Sequence, residues 1–93
     1  MSKITIERNH SLPLTIAIEK ANQIGEELRQ EFGLQAAWRS DTVAVVSGKG
    51  VTGTMVISDT KVVIEMKLGF ALRLFSTKIK KGVAQRLENT LRA

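Results

Sequence analysis

The pattern with the most specific ligand chemistry in this sequence is the run GKGVTG at residues 48–53, which fits the dinucleotide-binding motif G-x-G-x-x-G. That motif binds a pyrophosphate only where its loop opens a helix, because the helix N-terminus supplies the backbone donors. Here the residues after Gly50 alternate between apolar and polar, as they do in a strand. The run also lacks the G-K-S or G-K-T ending of a phosphate-binding loop. It therefore predicts a glycine-rich β-hairpin and no nucleotide cofactor.

Side chains that could act as nucleophile, general base or metal ligand are few. His10 is the only histidine and cysteine is absent, which argues against multi-histidine and thiolate metal sites. Ser11 lies close to a helix-start proline, so its position favours a helix cap over a nucleophile. Four of the nine carboxylates fall on the outer face of the first predicted helix, where charged side chains are usually only solvated. We therefore expect no catalytic residue, no metal site and no cofactor, and a protein that is not an enzyme.

The net charge of the chain lies in residues 70–93. This segment contains six basic side chains and one acidic one, whereas residues 1–69 contain eight of each, so the segment accounts for the formal net charge of +5. Its periodicity predicts a helix, with about 100° between successive residues. The core-facing stripe of that helix is Ala71, Leu72, Phe75, Ile79, Val83 and Leu87.

A second apolar pair, Phe70 and Leu74, falls on the opposite side of this predicted helix. A helix that already has a core face does not need another apolar patch among basic residues in order to fold. We therefore predict that Phe70 and Leu74 are exposed while Leu72, Phe75 and Ile79 are buried. The predicted surface-binding residues are Phe70, Arg73, Leu74, Lys78 and Lys81.

The first third of the chain predicts a strand followed by a helix. Ile4 and Ile6 alternate with polar residues, which is typical of a half-buried strand. Ser11 and Pro13 are helix-start signals, and Gly33 with Leu34 predicts a Schellman ending. One face of the helix between them is apolar: Leu14, Ala17, Ile18, Ala21, Ile24, Gly25, Leu28 and Phe32.

Residues 34–68 predict four strands joined by short turns, with the clearest alternation from Lys61 to Leu68. Such short turns permit only antiparallel neighbours, since parallel strands need a long crossover. Two amphipathic helices must also bury their apolar faces. The predicted fold is α+β, in the order β-α-β4-α, with a curved antiparallel sheet and both helices on one face, as in a helix-grip or TBP-like arrangement.

Length and composition predict one globular domain over residues 1–93, with 43% hydrophobic and 25% charged residues. No apolar run approaches the roughly 18 residues of a membrane span. The N-terminus has no apolar stretch of signal-peptide length, and the absence of cysteine fits a reducing compartment. We therefore expect a cytoplasmic protein with no transmembrane segment.

Several short motifs, taken in order, resemble the polyhydroxyalkanoic acid system protein family, also called the polyhydroxyalkanoate granule-region family. The resemblance spans essentially the whole chain. It implies a small bacterial cytoplasmic protein encoded near polyester-storage genes, with a role at storage granules and no catalytic residues. Arg73 departs from the expected aliphatic run after Leu68-Gly69-Phe70, which narrows the apolar patch. The residues that carry the resemblance are Ile4, Ile6, His10-Ser11-Leu12, Phe32-Gly33-Leu34, Trp38, Asp41, Gly50-Val51, Gly53, Leu68-Gly69-Phe70 and Phe75.

Three functions remain open at this point. In the first, a basic amphipathic helix associates with a polyester granule surface or with a granule-associated protein. In the second, Phe70 and Leu74 pair with another protein or with a second copy in a homodimer. In the third, the basic helix binds nucleic acid, which the pI near 10.0 allows. The low aromatic content of 4% and the absence of tyrosine argue against single-strand binding.

Overall fold

The computed structural model describes residues 2–91, except for the side chains of residues 2, 70, 71 and 73. The elements follow the predicted order, with one addition, a 3₁₀ helix before the last α-helix. They are β1 (Ser2–Asn9), α1 (Leu14–Phe32), β2 (Gln35–Trp38), β3 (Val43–Gly48), β4 (Val51–Ile57), β5 (Lys61–Leu68), the 3₁₀ helix (Phe70–Phe75) and α2 (Ser76–Leu91).

The five strands form one open antiparallel sheet in the order β1-β5-β4-β3-β2. Strands β2 to β5 are consecutive neighbours, and β1 pairs with β5 along its whole length, from Ser2 opposite Leu68 to Asn9 opposite Lys61. Helix α1 carries the chain from one edge of the sheet to the other, and both helices pack on the same face. The predicted α+β architecture is confirmed.

The core lies between that face of the sheet and the two helices. The alternation in β5 places every second side chain, Val62, Ile64, Met66 and Leu68, in this core at 0% exposure. Helix α1 contributes Ala17, Ala21, Ile24, Gly25 and Leu28, and α2 contributes Val83, Leu87 and Leu91. Each large apolar side chain buried in this way stabilises the fold by about 1.5–3 kcal/mol.

Helix α1 ends at the predicted glycine, but the hydrogen bonds there differ from those of the predicted Schellman motif. Gly33 has a positive φ of 69°, and its N–H donates to the carbonyl of Arg29 at 3.1 Å. This 5→1 bond is that of an αL ending and not of the predicted Schellman motif, and the N–H of Leu34 donates to the carbonyl of Leu28 at 3.3 Å. Leu34 itself is buried, so the chain leaves the helix directly into the core.

The predicted serine cap at the N-terminus of α1 is wrong. The helix begins at Leu14 with Pro13 as its N-cap residue, and no side chain caps it. Ser11 therefore lies two residues before the cap position. His10 organises this segment instead: its Nδ1 accepts a hydrogen bond from the Leu12 N–H at 3.1 Å, and its Nε2 donates to the Ser58 carbonyl at 2.8 Å.

The single C-terminal helix that the periodicity predicts is divided into a 3₁₀ helix and α2. One backbone hydrogen bond attaches the start of this segment to the β3–β4 hairpin: the N–H of Gly69 donates to the Gly50 carbonyl at 2.7 Å. The N–H of Leu72 donates locally to the Gly69 carbonyl at 3.0 Å, at the start of the 3₁₀ helix. A 3₁₀ helix has about 3.0 residues per turn, so the α-helical phase is lost across residues 70–75.

Candidate functional site: an exposed apolar and basic surface

Two large apolar side chains stand in solvent where the 3₁₀ helix meets α2. Leu74 is 87% exposed and Phe75 is 54% exposed. The exposure of Leu74 confirms the sequence prediction. Phe70 and Arg73, which belong to the same predicted site, have side chains outside those that the structure describes.

The prediction that Phe75 is buried is wrong, and the predicted burial of Leu72 and Ile79 is only partial. Leu72 and Ile79 are half-buried and pack against the core. Phe75 is the last residue of the 3₁₀ helix and lies on the same flank as Gly82 and Arg86 of α2, whereas Val83 and Leu87 define the buried face of α2. That flank borders an open groove, so the ring of Phe75 is only partly covered.

Lys78 and Lys81 extend this surface along the first turns of α2. Both are exposed, on the side of the helix away from the buried Val83 and Leu87. Among the residues that the structure describes, neither lysine takes part in an ion pair. We call Leu74, Phe75, Lys78 and Lys81 the α2 surface. It combines accessible apolar area with unpaired positive charge.

A groove of about 770 Å³ lies next to the α2 surface. It is bounded by the C-terminal end of α1, the β3–β4 hairpin, the 3₁₀ helix and the first half of α2, and we call it the α1–α2 groove. Phe75 and Lys78 belong both to the α2 surface and to this groove. Its apolar lining consists of Phe32, Leu34, Val51, Leu72, Phe75 and Ile79.

The polar groups of the α1–α2 groove are Glu31, Lys49, Lys78 and Arg86. Arg86 forms an ion pair with Glu31, donates to the Gly82 carbonyl at 2.9 Å and lies 5.5 Å from the centroid of the Phe32 ring. Its charge is therefore already compensated. Lys49 and Lys78 have no ion-pair partner in the described part of the chain, so the groove presents two free ammonium groups.

Gly82 allows the two helices to approach closely beside the groove. A Cβ at this position would lie 2.9 Å from Cζ of Phe32, closer than side-chain atoms normally come. With glycine there, the Phe32 ring of α1 lies directly against α2 and beneath the guanidinium of Arg86.

Sequence reasoning found the half of this site that lies on one segment and missed the other half. Lys78 and Leu74 follow from the charge and periodicity of residues 70–93. Phe32, Leu34 and Lys49 join the groove only through tertiary packing, and no spacing in the sequence relates them to α2. In residues 2–91 no three or more His, Cys, Asp or Glu side chains are grouped as metal ligands would be.

Comparison with known families gives one decisive match. A family model for polyhydroxyalkanoic acid system proteins covers residues 4–91. The chain belongs to this family. Apart from the first two residues of β1, the match takes in every strand and both α-helices, as well as the α2 surface and the groove. The family description names the polyester-storage system and no activity.

A comparison with curated proteins finds no significant match. Within residues 2–91, neither helix combines the length and the apolar character needed to span a bilayer. Family membership therefore relates the chain to the polyhydroxyalkanoate system, and the geometry of the α2 surface is the starting point for a more specific function.

Proposed function

We propose that this protein is a non-catalytic, cytoplasmic component of the polyhydroxyalkanoate system that associates with the surface of polyester granules through the α2 surface. The observation that carries the proposal is the exposure of Leu74, at 87%, beside the half-exposed ring of Phe75 and the exposed side chains of Lys78 and Lys81. Family membership supplies the context in which such a surface has a partner.

The chemistry of a polyester granule suits this surface. The polymer offers apolar methylene groups for Leu74 and Phe75 to contact, and burying each of these side chains fully contributes about 1.5–3 kcal/mol. Polyester chains end in a carboxylate, and the granule boundary is polar, so Lys78 and Lys81 meet negative charge there. An amphipathic helix at a membrane interface binds in the same way, with its apolar side chains in the apolar layer and its lysines at the polar boundary.

The sum of these contributions describes weak and reversible association. Each of the two apolar side chains contributes at most about 1.5–3 kcal/mol, and each exposed lysine about 1 kcal/mol or less. Binding must also offset the loss of translational and rotational freedom. Many copies on one granule are consistent with such an affinity, because each molecule occupies a small area and exchanges with the solution.

A granule-associated protein or a second copy of this chain is the alternative partner for the α2 surface, since exposed Leu74 and Phe75 would also fit a protein interface. Nucleic acid is the other alternative, since Lys78, Lys80 and Lys81 are all exposed and would suit a phosphate backbone. The exposed leucine favours an apolar partner over phosphates, because a phosphate backbone gives Leu74 nothing to contact.

The test is co-sedimentation of the purified protein with protein-free polyhydroxyalkanoate granules. The double variant Leu74→Ser, Phe75→Ser should keep its fold and lose most of its bound fraction. The matched control is Ile16→Ser, Val56→Ser, which removes two exposed apolar side chains, 37% and 40% accessible, far from the α2 surface.

If the control variant binds granules like wild type and the double variant loses most of its bound fraction, the proposal is supported. If the two variants have the same bound fraction, it is refuted. Binding that requires added granule-associated protein, or a dimer that the double variant abolishes, would assign the surface to the alternative partner.

A further inference from the structure

We propose that the α1–α2 groove binds a single medium-chain aliphatic carboxylate, with its alkyl chain on the apolar lining and its carboxylate held by Lys49 and Lys78. This goes beyond granule association, because the ligand is a dissolved acid and the groove is a concave site. It draws on Phe32, Leu34, Lys49 and Val51, none of which belongs to the α2 surface.

The dimensions of the groove suit an alkyl chain. Its volume of about 770 Å³ falls within the roughly 300–1,000 Å³ of small-molecule sites. On its α2 side the groove extends from Lys78 to Arg86, which is two helical turns or about 12 Å. Six apolar side chains line it, and four of them come from outside the two α-helices: Leu34, Val51, Leu72 and Phe75.

The charges of the groove specify the sign of the ligand's head group. Glu31 is the only carboxylate in the lining, and it is paired with Arg86. Lys49, on the β3–β4 hairpin, and Lys78, on α2, are both exposed and unpaired among the described residues. A carboxylate can accept hydrogen bonds from both ammonium groups, and such charge-assisted bonds are stronger than neutral ones.

An apolar groove without these lysines would accept a neutral or cationic amphiphile equally well. With them, an alkyl ammonium ion is repelled and an uncharged amide loses the charge-assisted bonds. The head-group preference therefore separates this inference from general hydrophobic binding.

The test is a titration of the full chain with butyrate, hexanoate and octanoate by calorimetry, below their micellar concentrations. Each additional methylene buried in the groove should lower the Kd by about fourfold. Octanamide should bind more weakly than octanoate, and octylammonium should not bind. Affinity that does not depend on chain length, or equal binding of octanoate and octylammonium, would overturn the inference.

Matched charge reversals locate the site. Lys49→Glu should raise the Kd for octanoate by about tenfold or more, since hydrogen bonds to charged groups contribute about 1.5 kcal/mol or more. Lys67→Glu makes the same charge change on the opposite face of the sheet, where Lys67 is exposed, and should leave the Kd unchanged. An equal effect of the two substitutions would show only general charge attraction and refute the site.

The two proposals fail separately. Granule binding with no octanoate binding would leave the granule proposal standing and remove the groove ligand. Octanoate binding without granule binding would refute the granule proposal and leave the groove ligand standing, because no polymer is present in the titration.

Discussion

His10 joins two parts of the fold that are distant in sequence, and it does so with both ring nitrogens. Nε2 donates to the Ser58 carbonyl in the β4–β5 turn, while Nδ1 accepts from the Leu12 N–H just before α1. The backbone N–H of His10 donates to the Thr60 carbonyl at 2.8 Å in the same turn. These bonds require the neutral imidazole with its proton on Nε2, because a protonated Nδ1 cannot accept a hydrogen bond.

Replacing His10 with alanine should therefore lower the free energy of unfolding by about 1–3 kcal/mol, since two hydrogen bonds are lost and each is worth about 0.5–1.5 kcal/mol. Ser11→Ala is the control, and it should change stability by less than about 0.5 kcal/mol because the Ser11 side chain does not cap α1. Urea denaturation of both variants measures the difference. If Ser11→Ala is destabilised as much as His10→Ala, the prediction that Ser11 caps α1 would be right after all.

The sequence could not distinguish these neighbours. Ser11 has the right type and nearly the right position for a cap, whereas the partner of His10 lies 48 residues away in the β4–β5 turn. Trp38 shows the same limit. Its strand position predicts a core anchor, and it is indeed half-buried against the core, but the hydrogen bond from its Nε1 to Oδ1 of Asn22 at 2.6 Å follows only from the packing of β2 against α1.

Among the helices and strands, the sequence pattern predicted those features that depend only on residues close together in the chain. The alternation in β5, the apolar face of α1 and the glycine at its end each depend on neighbouring residues, and each is confirmed. The C-terminal segment differs because the Gly69–Gly50 hydrogen bond and the hairpin constrain its first turns. That long-range contact favours a 3₁₀ helix over residues 70–75, so a wheel drawn at a constant angle misplaced Phe75.

The lysines of α2 should add a salt-dependent part to granule binding. The variant Lys78→Glu, Lys81→Glu should reduce the bound fraction at about 0.15 M salt, where the screening length is about 8 Å, and differ little from wild type at 1 M, where it is about 3 Å. The apolar contribution of Leu74 and Phe75 remains in both. Co-sedimentation at the two salt concentrations measures the change.

The control for this prediction is Lys20→Glu, Lys67→Glu, which has the same net charge but places the substitutions on α1 and on the sheet. It should bind like wild type at both salt concentrations. If it loses as much binding as the α2 variant, the association depends on overall charge and not on the α2 surface.

In the molecule as a whole, the residues that stabilise the fold differ from those of the proposed binding surface. The sheet and the buried faces of α1 and α2 form one core, in which 19 hydrophobic side chains of the described residues are buried. The α2 surface contributes Leu74, Lys78 and Lys81 that stand outside this core. Residues of this kind can change without loss of the fold, so their apolar and basic character is most economically explained by a partner.

The net charge is likewise confined to one part of the chain. Residues 1–69 carry balanced charges, many of them in pairs such as Glu7 with Lys61 and Glu26 with Arg29, whereas residues 70–93 carry the excess. If the granule proposal holds, this excess should orient the molecule with residues 70–93 towards a negatively charged boundary.

The most direct test of the granule proposal is hydrogen–deuterium exchange of the protein bound to protein-free polyhydroxyalkanoate granules. The account predicts slower exchange of peptides covering residues 72–82 in the bound state, because the α2 surface lies against the polymer and water is excluded there. Peptides covering β4 and β5, whose outward side chains include Val56 and Lys67, should exchange at the rate of the free protein. Protection confined to the sheet, with residues 72–82 unchanged on the granule, would contradict the account.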